Sequence, residues 1–285
     1  MIGAIEILQY DFMVRALVAA LLVGIAAPSV GVHLVQRRLA LVGDGLGHVA
    51  ITGVAIGLVT SRSPVITALI AAVVGAVVVE LVRASGRASG DVALAVLFYG
   101  GIAGGVVIVS KAPAGTPVNL DQYLFGAITT TTAADVRTFA ILTAFVLVVT
   151  LGLRRQLFAV GVDEEYARAS GLPVLGLNLL LAIVTSVTVV VSMRVVGLLL
   201  ISALMVVPIA TAQGLSRSFR ATVLLGTALA VAESVAGVAI SFYADTPSGG
   251  TIVLVAIAAF LVVSAAIGVR SRWAPATRRS AGASA

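Results

Sequence analysis

Cysteine is absent from this sequence of 285 residues. Without thiols, the chain has neither a disulfide framework nor a thiolate metal site. Charged residues are also scarce, at 11% of the chain, whereas soluble domains have about a quarter. Because a soluble core of this size needs a polar surface, this composition excludes an ordinary soluble domain.

The sequence motifs of several enzyme classes are missing as well. The chain has no G-x-x-x-x-G-K-[ST] motif, and its one lysine, Lys111, stands in no such context, so the phosphate-binding lysine of a P-loop ATPase is missing. It has no H-E-x-x-H or G-x-S-x-G motif, and its only imidazoles are His33 and His48. This argues against a metalloprotease or a serine hydrolase. We therefore expect no enzyme, and any ATP hydrolysis must take place on another chain.

The basic excess, a formal net charge of +6, does not indicate nucleic acid binding. No basic stretch is interleaved with the aromatic residues on which bases would stack. The basic residues instead flank apolar runs, where lysine and arginine set the topology of membrane proteins. We therefore expect the chain to lie in a lipid bilayer and to bind no nucleic acid.

Long apolar runs are what the sequence has in abundance, with 60% hydrophobic residues and a mean hydropathy of +1.16. A membrane-spanning helix needs roughly 20 apolar residues, and nine runs approach that length. They are residues 14–35, 43–61, 64–82, 92–110, 133–153, 173–193, 195–213, 219–243 and 250–269. The pattern predicts an all-α polytopic membrane domain over residues 1–272, followed by a short, basic, disordered tail over residues 273–285.

The basic residues near the ends of these runs predict the orientation of the chain. In a nine-span arrangement, most of them fall on one side, which is the cytoplasmic side in membrane proteins. They are Arg37, Arg38, Arg83, Arg87, Arg154, Arg155, Arg168, Arg217, Arg220, Arg270, Arg272, Arg278 and Arg279. We therefore expect a multi-pass protein of the cell (inner) membrane with its N-terminus outside. An amphipathic start that lies along the interface would shift this count.

The sharpest polar pattern lies in GDGLGHVAITGVAIG, residues 43–57. Asp44 and His48 are four residues apart, so they lie on one face of a helix. A charge at the bilayer centre costs about 2.5–3.5 kcal/mol on insertion scales, so such residues tend to line pathways or meet partners. A carboxylate and an imidazole together suit zinc or manganese. The alternative is that Asp44 caps its helix or pairs with Arg37 or Arg38.

Glu233 is the deepest acid in the second half of the chain, within the apolar run AVAESVAGVAISF. It is a third candidate metal-binding residue if it faces the same pathway. A neighbouring hydroxyl group or a helix interface would explain it equally well.

The inner segment DEEYARASGLPV predicts a short helix on the cytoplasmic side, with acids in its first turn and glycine and proline at its end. This helix either simply links two spans or transmits motion from a cytoplasmic motor, and its small residues would permit close docking. The candidate coupling residues are Asp163, Glu164, Glu165, Ala167, Arg168, Gly171 and Pro173.

Four separated motifs resemble the zinc/manganese/iron permease family of ABC importers, also called the ABC-3 permeases, almost from end to end. They are RRLALVGDGLGHVAITGVAIGL, DEEYARASGLPV, SMRVVGLLLISALMVVPIATA and FYADTPSGGTIVLV. The resemblance implies a fold like that of type II ABC-importer permeases, with eight to nine spans. It further implies that Asp44 and His48 act as ligands or gate residues and that the DEEYARASGLPV helix docks on an ATPase.

The same resemblance implies a set of partners. They are cytoplasmic ABC ATPase subunits, an extracytoplasmic metal-binding protein and a second copy of the chain, with the pathway between the two copies. We expect no permanently bound cofactor, and a divalent metal ion as the transported substrate.

Three other functions remain open at this stage. An ABC permease for an iron chelate or cobalamin would need no side chains that bind the metal directly. A proton-coupled secondary transporter would use Asp44 or Glu233 as its proton carrier. A membrane scaffold without transport activity would associate with no ATPase.

Overall fold

The computed structural model describes residues 9–86, 90–111, 121–126 and 131–273. These residues form twelve α-helices and no strand. The helices are α1 (Asp11–Gln36), α2 (Val42–Val59), α3 (Pro64–Ala84), α4 (Gly90–Val109), α5 (Asp121–Phe125), α6 (Ala133–Gly152), α7 (Arg154–Val162), α8 (Glu164–Ala169), α9 (Val174–Val196), α10 (Leu198–Leu215), α11 (Phe219–Ala244) and α12 (Ser248–Trp273).

Nine helices in the described part of the chain are long and apolar enough to cross a bilayer. They correspond to the nine predicted runs, with boundaries that differ by a few residues, so the predicted all-α polytopic fold is confirmed. The long stretch 173–213 divides at Gly197, whose φ of 90° is one that glycine adopts readily. Of the predicted tail, residues 274–285 lie outside the described residues, as do residues 1–8.

Helix α7 is an element that the sequence analysis did not predict. It fills most of the inner connection between α6 and α8 and directly follows the last turn of α6. Its apolar residues Leu157 and Val160 are buried, whereas Arg154 and Arg155 are exposed. Amphipathic helices of this kind typically lie along a membrane surface. The sequence did not predict α7 because its nine residues are too few to show a clear helical period of apolar residues.

The helices pack in two groups that α9 and α10 connect. Helix α1, the most buried span, packs against α6, α10 and α11. Helix α2 packs chiefly against α3 and α4, while α9 packs against α3 and α10. The two groups therefore place α2 and α11 on different sides of the bundle.

The outer surface of the bundle is apolar. Ile66, Ile70, Val74 and Val78 follow one another along an exposed face of α3, and each is more than half exposed. In water, a stripe of this kind would be an aggregation surface. On a membrane-spanning helix it is the surface that contacts lipid chains.

Glycine permits a close approach between α1 and α10. A Cβ atom at position 31 would lie 1.8 Å from the carbonyl oxygen of Met205 and 2.6 Å from its carbonyl carbon. The obstacle is backbone, which cannot move aside as the end of a flexible side chain can. Small residues at such contacts are typical of membrane helix interfaces.

We expect Gly31→Ala to destabilise the protein by about 3 kcal/mol or more, at the upper end of overpacking effects, because two backbones must separate. Thermal unfolding in detergent measures the change. The matched control is Gly100→Ala on α4, where a Cβ atom meets nothing within 4 Å and alanine is the better helix former. Equal melting temperatures for Gly31→Ala and the unmodified protein would contradict the close packing of α1 and α10.

Candidate functional site

Asp44 and His48 lie together near the start of α2, the end that the arginine count predicts to be cytoplasmic. The helix begins at Val42, which places Asp44 in the first turn, where the helix dipole favours a negative charge. Oδ2 of Asp44 and Nε2 of His48 are 3.9 Å apart, and the two side chains are 25% and 14% exposed, respectively. The predicted one-turn spacing therefore brings the two donor groups close together, and both are partly exposed.

Helix α4 fixes the position of the His48 ring. The imidazole packs edge-on against Phe98, with 4.3 Å between the ring centroids. One turn further along α4, Gly101 lies directly against the backbone of His48. Thr52 Oγ1 donates a hydrogen bond to the carbonyl oxygen of Gly101 and joins the same two helices. The ring is thus held by packing rather than by a hydrogen bond.

Asp44 does not pair with the arginines that precede its helix. Within the described residues, its ion-pair contact is with His48, and Arg37 instead donates a hydrogen bond to Asn178. The helix has no side-chain N-cap, since Leu41 occupies that position. The simple explanation of Asp44 as an arginine partner is therefore not seen, and its carboxylate is left for another ligand.

Two donors at this separation suit one metal ion. Ligands about 2.1 Å from a zinc ion in tetrahedral geometry lie roughly 3.4 Å apart, so the 3.9 Å gap needs only a small adjustment of the side chains. The described residues contain no group of three or more His, Asp or Glu that could hold a metal. The described part of one chain therefore offers an incomplete coordination shell.

Glu233 does not join this pair. It lies on α11, which packs against α1, α10 and α12, whereas α2 packs against α3 and α4. The side chain is 4% exposed, and neither carboxylate oxygen has a hydrogen-bond partner within the described residues. An unpartnered buried carboxylate is costly, but the structure does not bring Glu233 to Asp44 and His48.

The short inner helix α8 forms as predicted from its acids. Asp163 caps it by accepting a hydrogen bond of 2.9 Å from the backbone N–H of Tyr166. Glu164 and Glu165 occupy the first turn and Arg168 the last. Gly171, with a φ of 80°, and then Pro173 lead into α9.

The burial of α8 changes which residues could contact a partner. Ala167 is fully buried within the chain, so it packs α8 onto the bundle and offers no docking surface. The exposed apolar side chains here are Val162 and Tyr166, which are 65% and 71% exposed. The sequence analysis did not single out either residue, although two large apolar side chains in a polar segment are a usable signal.

A network of charged and amide side chains ties α8 to the inner ends of three spans. Arg83 of α3 donates to both carboxylate oxygens of Glu80, at 2.9 and 3.1 Å, and to Oε1 of Glu164, at 2.9 Å. Asn178 of α9 donates to the same Glu164 oxygen at 3.1 Å and accepts from Arg37, just after α1. We call these five residues the inner network.

Electrostatics favour the charged form of Glu164 in the inner network. Burial raises the pKa of the Glu164 carboxyl. The hydrogen bond and charge of Arg83 and the hydrogen bond from Asn178 together lower this pKa by more, so it lies below its ordinary value. The charged Glu164 carboxylate therefore stabilises the fold fully at pH values above its ordinary pKa. This stabilisation is lost as the pH falls through the lower pKa of the folded protein. Burial also lowers the pKa of the Arg37 guanidinium, and the nearby carboxylates of Glu164 and Glu80 oppose this shift.

Comparisons with known proteins agree with this architecture. The sequence profile of the family described as "ABC 3 transport family" matches residues 9–267. The manganese transport system membrane protein MntC of Halalkalibacterium halodurans is 31% identical over 90% of this chain and 87% of its own length. The zinc uptake system membrane protein ZnuB of Buchnera aphidicola is 25% identical over 86% and 94%, respectively.

A solved structure also has the same fold. PsaBC from Streptococcus pneumoniae, in complex with a Fab, superimposes with a TM-score of 0.80 at 27% identity, over 92% of this chain and 95% of the matched chain. The resemblance in fold therefore covers nearly the whole of both chains.

Proposed function

The chain belongs to the ABC 3 transport family, and we propose that it is the permease subunit of an ATP-driven importer of divalent metal ions, zinc or manganese in the first place and iron as the alternative. Membership in this family makes it a transport subunit of a cell membrane and not an enzyme. The observation that supports a metal ion as the substrate is the Asp44–His48 pair. It is a half-buried set of one oxygen and one nitrogen donor, and it has no arginine partner among the described residues.

The chemistry of this pair suits passage more than storage. A carboxylate and an imidazole accept zinc, manganese or iron(II). A closed tetrahedral cage would hold the ion too tightly for release, whereas conduction needs a site that binds weakly enough for the ion to leave. Two donors per chain therefore fit a site that binds the ion transiently along a transport pathway.

A second copy of the chain would complete the coordination shell. We propose that two copies meet with the pathway between them, so that two carboxylates and two imidazoles can surround one ion. Support for this comes from the incomplete set in one chain, because the described residues contain no third ligand near Asp44 and His48. Tetrahedral and octahedral metal sites need four or more donors.

The inner helix α8 is the part that a cytoplasmic ATPase would contact. Val162 and Tyr166 provide exposed apolar surface, of the kind that anchors protein interfaces. Glu164 on the other face of α8 is held by Arg83 of α3, a helix that packs against α2. Movement of α8 would therefore reach the helix that bears Asp44 and His48. An extracytoplasmic binding protein would deliver the ion from outside.

ATP-dependent metal uptake by the complete complex is the expected result in proteoliposomes. The complex contains this chain, its ATPase and its binding protein, and elemental analysis identifies the accumulated metal. A catalytically inactive ATPase should abolish uptake, and a protonophore should leave it unchanged. Uptake that collapses with the protonophore and ignores ATP would assign the chain to proton-coupled transport. Uptake of an iron chelate or cobalamin with no free metal would assign it to the other class of ABC permease.

A further inference from the structure

A pocket opens at the cytoplasmic level of the bundle, away from the Asp44–His48 pair. It lies among the last turns of α1 and α6, the first turns of α7, and the start of α11, and has a volume of about 500 Å³. This lies within the roughly 300–1,000 Å³ of small-molecule sites. The lining residues used below are His33, Leu151, Arg154, Arg155, Phe158, Phe219, Arg220, Val223 and Leu224.

The walls of this pocket are apolar and continue to the surface that faces lipid. Leu151 and Leu224 are 57% and 72% exposed, and both belong to membrane-spanning helices. Phe158 and Phe219, which also line the pocket, contact each other with tilted rings and 4.7 Å between the ring centroids. Leu224 is five residues into α11, so the apolar wall extends about 7.5 Å above the start of that helix.

The rim of the pocket is basic. Arg154, Arg155 and Arg220 are all exposed, and no ion pair involves any of them within the described residues. The pocket lining contains no Asp or Glu. The first turn of α11 lies at the same rim, where the positive end of the helix dipole adds to the field.

A buried polar group also points to a ligand. His33 is 3% exposed and lines the pocket. Its Nδ1 atom has no hydrogen-bond partner within the described residues, although buried polar atoms are normally paired. The ring rests near Phe219, with 5.7 Å between centroids, and is thus held in place without that bond.

We propose that this pocket binds an anionic phospholipid of the inner leaflet. The phosphate group lies among Arg154, Arg155 and Arg220, and an acyl chain follows the apolar wall to Leu224. Basic pockets between membrane helices on the cytoplasmic side bind such headgroups. The enrichment of arginine on the cytoplasmic side of membrane proteins explains why these residues are on this side. It does not explain why three arginines without an ion pair in the described residues surround a pocket that has apolar walls and a histidine without a hydrogen-bond partner at Nδ1.

The test is lipid binding to the purified complex of this chain and its ATPase in a neutral detergent, counted by native mass spectrometry. Dioleoylphosphatidylglycerol should bind more tightly than dioleoylphosphatidylcholine. The triple variant Arg154→Gln, Arg155→Gln and Arg220→Gln should lose affinity for phosphatidylglycerol by about five-fold for each arginine. Val223→Phe, which keeps every charge but fills the pocket, should weaken binding as well.

The control variant is Arg38→Gln, which removes an exposed cytoplasmic arginine outside the pocket and should leave binding unchanged. Equal binding of the two lipids, or full displacement of phosphatidylglycerol by inorganic phosphate, would overturn the proposal. The proposal would also be overturned if the triple variant lost its ATPase or a second copy of the chain while it still bound lipid. The arginines would then belong to the interface with that subunit. No metal is transported in this test, so its outcome is independent of the proposed function.

Discussion

Asp44→Ala and His48→Ala should each lower the apparent metal affinity of uptake by at least about 10–100-fold, the loss seen even when residues behind metal ligands are changed. The double variant should be little worse than the more damaging single variant, because both side chains bind the same ion and their effects are not additive. Uptake rates by proteoliposomes over a range of metal concentrations separate a rise in KM from a fall in kcat. The rise in KM is expected to dominate.

Basal ATP hydrolysis and the melting temperature of the complex show whether these variants fold and assemble. Both should stay near the values of the unmodified complex, since Asp44 and His48 are partly exposed and no hydrogen bond joins them. The matched control is Asp245→Asn, an exposed residue in the left-handed conformation, which asparagine tolerates. Unaltered metal uptake in the double variant would mean that neither side chain binds the ion, and would favour a permease for chelates.

The spans were predictable because the bilayer imposes one strong constraint. A helix across the membrane needs a long apolar run, and each described span coincides with one. The Asp44–His48 pair was predictable for a similar reason, since residues four apart share a helix face. Short-range geometry and composition therefore account for the fold class and for the candidate ligand pair.

The inner network was not predictable in the same way. Glu80 and Arg83 are three residues apart, so they share a helix face and their ion pair is a local contact. The hydrogen bonds from Arg83 to Glu164 and from Arg37 to Asn178 join residues 81 and 141 positions apart. Contacts of this kind depend on how the helices pack, which no spacing in a single sequence records. The separation of Glu233 from Asp44 and His48 likewise depends on how the helices pack.

Replacing Arg83 tests whether the inner network transmits motion or merely holds the fold. Arg83→Gln leaves the Glu80 carboxylate buried without its cation, and breaking such a pair costs about 3–5 kcal/mol. The melting temperature should therefore fall. Uptake should fall more than ATP hydrolysis does, because α8 loses its charged link to α3. The ratio of metal ions imported to ATP hydrolysed is the quantity to measure.

A variant that makes all five residues of the inner network apolar separates coupling from stability; its substitutions are Arg37→Met, Glu80→Met, Arg83→Met, Glu164→Met and Asn178→Leu. Replacing a whole buried ion cluster with apolar side chains of similar volume is often neutral or stabilising, so the melting temperature should recover. The transport ratio should stay low, because no charged contact joins α8 and α3. Arg137→Gln, an exposed arginine on α6 near the outer side, is the control. Recovery of both the melting temperature and the transport ratio would show that the network only stabilises the fold, and a coupling role for Arg83 would then be wrong.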